Sequence, residues 1–122
     1  MSIRKYNDFL KEGLDDSWSK GDITITLRQV LDITKDIPIT KIPTSKLEYL
    51  ALHKDNPNEQ EKIKNSDLQY PVLILVNDDN SIKYVLDGHH RIQKAIMYKL
   101  PTINVKFIKF NELPDNFKKV LK

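Results

Sequence analysis

Five consecutive residues, Asp87-Gly88-His89-His90-Arg91, bring together a carboxylate, a glycine, two imidazoles and a guanidinium. Donors this dense suit an anion, phosphate above all, and the flanking residues say how they would be presented. Ile82, Tyr84 and Leu86 alternate with Lys83 and Val85 as in a strand, while Ile92, Ala95, Ile96 and Leu100 recur at the spacing of one helical face. The motif is therefore predicted to fall on a first helical turn. There, backbone N–H groups lack intrahelical partners and the macrodipole is positive, so a negative ligand is favoured. Gly88 lets the backbone approach that ligand without a Cβ in the way. Arg91 offers a planar fork of donors that fits two phosphate oxygens at once.

Each residue also has a purely structural role open to it. Asp87 is either an N-cap accepting from the N–H of His89 or His90, or a base or metal ligand. His89 shares the face of Ile92 and Ile96, which predicts a partly buried histidine, whereas His90 and Arg91 turn away from that stripe and read as ligand contacts. Phosphoryl transfer needs positioned donors and charge stabilisation, together with a base near the acceptor. Glu48, Asp55 and Asp87 are the acids on offer. Adjacent histidines diverge on a helix, which argues against His89 and His90 chelating one zinc by themselves. A magnesium ion held by Asp87 and ligand phosphates is compatible with the motif. Asp78 and Asp79 lack the glycine and terminal glutamate of a calcium loop and read as a solvated hairpin turn. Neither a nucleophile elbow nor a glycine-rich phosphate loop with its lysine occurs.

The run Val85-Leu86-Asp87-Gly88-His89-His90-Arg91, followed by Ala95, resembles the signature of the ParB/sulfiredoxin superfamily. Tyr70-Pro71-Val72-Leu73-Ile74-Leu75-Val76 is similar to the strand that leads into it, and Ile42-Pro43-Thr44-Ser45-Lys46-Leu47 to the opening strand and turn of that family. The similarity extends from Ile39 to Ile108. It implies a pocket for nucleotide phosphates lined by Gly88, His89, His90 and Arg91. Sulfiredoxins place a catalytic cysteine where His89 stands, and this chain has no cysteine, so sulfinic acid repair is excluded. Centromere-binding ParB proteins carry an acidic residue and a second arginine where His89 and His90 stand, and a DNA-binding helix-turn-helix follows. The closer spelling is that of the free serine kinases of this fold, which share the Asp-Gly-His-His-Arg string. Those kinases also need a glutamate near the first turn, for which Glu48 is the nearby candidate.

The resemblance and the residues together predict a nucleotide- or phosphate-binding protein. As an enzyme it would be a phosphotransferase or phosphohydrolase, with Asp87, His89 and Glu48 catalytic and with ATP, ADP or CTP, and Mg2+, as cofactors. As a non-catalytic module it would bind a nucleotide, a phosphorylated small molecule or a protein partner's phosphate. A ParB-like nuclease is the third reading. The format is also similar to ParB-like proteins carried by phages.

A chain of 122 residues fits one domain, on a prior of about 100 to 200 residues each. The expected fold is α/β (α+β): a small ParB/sulfiredoxin-like domain over residues 39–122, with a mixed, mainly antiparallel sheet flanked by helices. Residues 1–38 are expected to be a helical extension packed with it as a single globular unit. Hydrophobic content of 39% with 30% charged residues describes a soluble globular protein, and no apolar run or signal-peptide core is present, which predicts a cytoplasmic location away from membranes. The net charge of +3 permits contact with nucleic acid, but the densest basic cluster, Lys106, Lys109, Lys118, Lys119 and Lys122, lacks aromatic stacking platforms and reads as a solvated face.

Local signals place the remaining elements. A short helix is predicted over Ser2 to Leu10, and a loop over Asp15 to Asp22. Thr26 followed by Gln29 is a capping-box spelling that should open a helix from Leu27 to Ile33. Pro38 and Pro43 flank Ile39 and Ile42 in a short extended piece and confine it to a sheet edge or a strand end. Thr44 or Ser45 should cap a helix carrying Leu47, Leu50 and Ala51, with His53 near its end. Asn56-Pro57-Asn58 marks a turn, followed by a charged helical turn from Glu59 to Lys64 that only Ile63 anchors. Val72 to Val76 reads as a buried central strand, Ile103, Val105 and Phe107 as the inward side of a later one, and Asp115 as the cap of a last helix.

Overall fold

The computed structural model describes residues 16–50 and 63–122. The expectations for Ser2 to Leu10, for Ala51 and His53, and for Asn56-Pro57-Asn58 lie outside them. Of the charged turn expected next, residues 63–65 are described and helical, and Ile63 is buried.

Val72–Val76 consists of apolar residues on both of its faces, so it satisfies itself only where both faces are covered. It is the inner strand β4 of a four-stranded sheet, and all five residues are buried. The other strands are β3 (Thr40–Pro43), β5 (Ile82–Asp87) and β6 (Thr102–Lys109), in the order β3-β6-β4-β5. The sheet is mixed: β4 runs antiparallel to β5 and parallel to β6, and β6 runs antiparallel to β3. Proline at the end of β3 agrees with its edge position. The β4–β5 turn is closed by Asn77 N–H on the Ser81 carbonyl at 2.8 Å and by Asp79, whose Oδ1 accepts from Ser81 N–H at 3.0 Å. Hydrogen bonds donated by the Ser81 hydroxyl and, secondly, by Ser81 N–H hold the Asp79 carboxyl below its usual range.

Each face of the sheet has its own core. On one side Val72, Ile74, Val76, Val85, Ile103 and Val105 pack with Leu47 and with Ile92 and Ala95 of a helix. On the other, Leu73, Leu75, Leu86 and Ile108 pack with Ile25, Leu27 and Val30 from early in the chain and with Leu113, Phe117 and Leu121 from its last turns. This is an α+β fold, and the alternation along β4 and β6 dictates it, because odd and even residues point to opposite layers. Among the described residues no helix is long and apolar enough to cross a membrane.

Of the loop expected from Asp15 to Asp22, the described residues 16–22 belong to a hairpin instead. Strands β1 (Ser17–Lys20) and β2 (Ile23–Thr26) make an antiparallel hairpin whose two-residue turn is Gly21-Asp22, with Gly21 at φ 61°. Trp18 stands opposite Ile25 and packs against the core. Thr26 then ends β2 and caps α1 (Leu27–Ile33): its Oγ1 accepts from Gln29 N–H at 3.2 Å, while Gln29 Oε1 accepts from Thr26 N–H at 2.9 Å. Thr26→Ala is expected to cost about 0.5–2 kcal/mol in a denaturant melt, as loss of a cap does. A melt indistinguishable from wild type would show that strand pairing alone holds this junction.

Three further expectations are corrected. Thr44–Leu50 is a 3-10 segment rather than an α-helix, with Leu47 buried beneath it. Asp115 is not a cap: it is the first residue of α3 (Asp115–Leu121), Pro114 occupies the cap position, and no side chain closes the turn. Its charge still complements the macrodipole. Lys106 is not simply solvated, since its Nζ donates to the Thr34 carbonyl at 3.0 Å, where α1 ends, and burial lowers its pKa against the pull of Asp36. Tyr84 reaches from β5 to donate its hydroxyl to the Leu121 carbonyl, which fastens α3 to the sheet.

Candidate functional site

The motif lies where β5 hands over to α2 (His89–Met97). Gly88 is the cap residue of α2 and adopts φ 113°, ψ 18°. Its carbonyl accepts from Arg91 N–H at 3.0 Å and from Ile92 N–H at 3.1 Å, so the turn is closed at once. A Cβ built on Gly88 would lie 3.0 Å from Arg91 Nη1 and 3.1 Å from both Cα and Cγ1 of Val72. The glycine is thus demanded by the protein's own packing against the start of β4, as well as by its left-handed backbone.

Asp87 does not cap the helix. Among the described residues no side chain caps α2; the Asp87 carboxylate faces Arg91 instead, with Oδ2 3.4 Å from Nη1. Arg91 Nη1 is also 3.4 Å from the Pro71 carbonyl, and the guanidinium lies 6.0 Å from the centre of the Tyr70 ring. The side chains of Arg91 and Asp87 are 7% and 15% exposed. The expectation that Arg91 turns away from the apolar stripe is therefore overturned. On the helix it borders Ile92 and Ala95, and at that edge the chain entering β4 presents a carbonyl that a buried guanidinium satisfies.

His89 and His90 both sit at the first turn and are half-buried. Burial lowers the His89 pKa; Asp87 opposes the shift and His90 adds to it. Glu48 belongs to the 3-10 segment that packs against α2, but its side chain is exposed, and among the described residues it makes no hydrogen bond or ion pair with the motif. Asp55 lies outside the described residues. The structure therefore gathers Asp87, Gly88, His89, His90 and Arg91 into one turn and leaves Glu48 apart from it. Among the described residues, no three His, Cys, Asp or Glu side chains group as a metal site would require.

Sequence reasoning missed four neighbours of the turn. Tyr70 and the Pro71 carbonyl lie against Arg91, which only the register of β4 beside β5 reveals. Lys94 Nζ donates to the carbonyls of Lys64 at 2.8 Å and Ser66 at 2.6 Å, clamping the chain before β4 onto α2. Gln93 is buried in the second turn, and its place four residues after His89 was the available signal. An open surface hollow of about 400 Å3, lined by Asn77, Asp78, Asp79, Ser81, Phe110 and Asn111, lies at the far end of the β4–β5 hairpin from the motif.

No family model, curated protein or solved structure matches this chain. What the turn does must be argued from its own chemistry.

The lowered His89 pKa has a definite sign in stability. With a folded value below the ordinary 6.5, the unfolded chain binds more protons between the two values, so stability is fully present above 6.5 and is lost as pH falls through the folded value. In denaturant melts the advantage of wild type over His89→Gln should shrink as pH is taken from about 7.5 to about 5. A difference that stays constant over that range would place His89 in solvent.

Proposed function

We propose that this chain binds the phosphate of a nucleotide, or of a phosphorylated small molecule, at the start of α2. The observation that carries the reading is an α-helix of nine residues opening on a left-handed glycine, without a side-chain cap among the described residues, flanked by His89 and His90 and backed by a buried arginine. Backbone N–H groups and imidazoles supply the contacts in this reading. Arg91 contributes its charge from beneath the turn, its Nη1 being shared with Asp87 and the Pro71 carbonyl. The spelling shared with ParB-like proteins supports the same assignment.

Two activities fit such a site. In a phosphotransferase or phosphohydrolase, Asp87 would serve as base or as the single carboxylate on a magnesium ion that arrives with nucleotide phosphates, and His89 would donate to the transferring group. In a non-catalytic nucleotide- or partner-binding module, the same donors would hold the phosphate without a base. Two observations favour the module: Asp87 faces Arg91, and among the described residues the exposed Glu48 makes no hydrogen bond or ion pair with the turn. A nuclease has no separate observation in its favour.

A thermal-shift and calorimetric panel of ATP, ADP, CTP and pyrophosphate, with and without Mg2+, tests the proposal. A ligand that binds only the folded chain must raise its melting temperature, by the equivalent of about 2.7 kcal/mol at a hundredfold excess over Kd. The shift should shrink in His90→Ala, and product formation would separate enzyme from module. Phosphates that leave the melt unchanged at millimolar concentration would sink the reading.

A further inference from the structure

The second turn of α2 buries a polar atom for which the described residues supply no partner. Gln93 is 8% exposed, and its Oε1 is buried without a hydrogen-bond partner among the described residues. An unpaired buried carbonyl is a standing cost to the fold. Leucine or methionine would fill the same helical position without it.

The position of this amide suggests its use. Gln93 follows His89 by four residues and His90 by three, so the three share one stretch of helix surface. Side chains on a helix lean toward its N-terminus, which carries the Gln93 amide toward the turn that holds the two histidines. Phosphate oxygens only accept hydrogen bonds, so this acceptor has nothing to offer a phosphate. It fits an O–H or N–H donor attached to the same ligand, one helical turn away from the phosphate.

We infer that Gln93 Oε1 receives a hydrogen bond from the nucleoside part of a nucleotide whose phosphate sits at the start of α2. The donor is a ribose hydroxyl or an exocyclic base amine. The inference rests on the phosphate-site reading above and narrows its ligand from phosphate in general to nucleotides.

Calorimetric titration of wild type, Gln93→Leu and Gln93→Met tests it, using pyrophosphate, ATP, CTP, the 2′-deoxy and 3′-deoxy forms of ATP, and inosine triphosphate. Both variants should keep pyrophosphate affinity and lose about tenfold or more in affinity for ATP or CTP, because a desolvated donor on the ligand is left unpaired. With wild type, a loss of similar size for a deoxy form identifies the hydroxyl, and one for inosine triphosphate identifies the amine. The unliganded variants should melt at or above the wild-type temperature, since they remove an unpaired polar atom and leave apolar contact. Nucleotide affinities equal to wild type in both variants, with pyrophosphate still bound, overturn the inference alone. Melts lowered by roughly 3 °C or more in both variants also overturn it, because the amide would then have a structural partner. Failure of wild type to bind pyrophosphate or any nucleotide overturns the phosphate site and this inference with it.

Discussion

Gly88→Ala is expected to lower the free energy of unfolding by roughly 2–6 kcal/mol. Two costs combine: about 1–3 kcal/mol for holding a non-glycine residue in a sparsely populated backbone region, and about 1–3 kcal/mol for forcing an atom into filled space. Of the atoms in the way, Arg91 Nη1 ends a long side chain and can shift, but Cα of Val72 belongs to the backbone of the inner strand. The second cost therefore persists after relaxation. Gly21→Ala is the matched control. Gly21 also has a positive φ, 61°, but a Cβ there meets nothing within 4 Å, so only the backbone preference of about 1–2 kcal/mol is lost. Urea melts of the two variants should differ by at least about 1 kcal/mol. Equal losses would mean that β4 does not press on the turn.

Arg91→Leu is expected to cost about 3–5 kcal/mol, the usual price of removing one partner of a buried ion pair. It leaves the Asp87 carboxylate, 15% exposed, without the guanidinium, and it leaves the Pro71 carbonyl without that donor. The double variant Asp87→Asn, Arg91→Leu should recover part of the loss, since no uncompensated charge remains. The recovery, read as a double-mutant cycle from denaturant melts, measures the coupling between the two residues. An Arg91→Leu variant as stable as wild type would return Arg91 to the role of an exposed phosphate fork. Arg91→Lys sharpens the distinction, because it keeps the charge beneath the turn and loses the fork. With the fork turned inward, most of its effect should fall on stability and the smaller part on phosphate affinity.

Much of the scaffold was legible because its signals are local. Five apolar residues in a row at Val72–Val76 permit little but an inner strand, and Thr26 with Gln29 spells a cap that can be read without knowing the fold. The β1–β2 hairpin has a local signal too: Gly21-Asp22 is a two-residue hairpin turn, and Ile23 and Ile25 alternate with Thr24 and Thr26. Trp18 and the serines around it concealed the strand. Residues 87–91 were legible as a turn into a helix but not in their internal arrangement. Whether Asp87 caps α2 or faces Arg91 depends on where the Pro71 carbonyl lies, and that is set by pairing between β4 and β5. Helical spacing placed Ile92 and Ala95 correctly on the core and put Ile96 with them, although Ile96 is only partly buried against that cluster. Gln93 illustrates the converse: its type suggests solvent, and only the packing around α2 shows that it is covered.

The edges of the sheet bear on how the protein keeps apart from copies of itself. Val72–Val76 is the stretch best suited to stacking in register with identical stretches from other chains, being β-branched and leucine-rich, without charge or proline. In the folded state both of its sides are already paired, by β5 and by β6. The strands left outermost are poor templates. β3 is four residues long, ends at Pro43 and exposes Lys41. β5 carries Lys83 and pairs with β4 through two register irregularities, which break the flat ladder that an incoming strand needs. The lysine and proline at the margins thus guard a centre that would aggregate if uncovered, and the cover on one side is the strand that ends at Asp87.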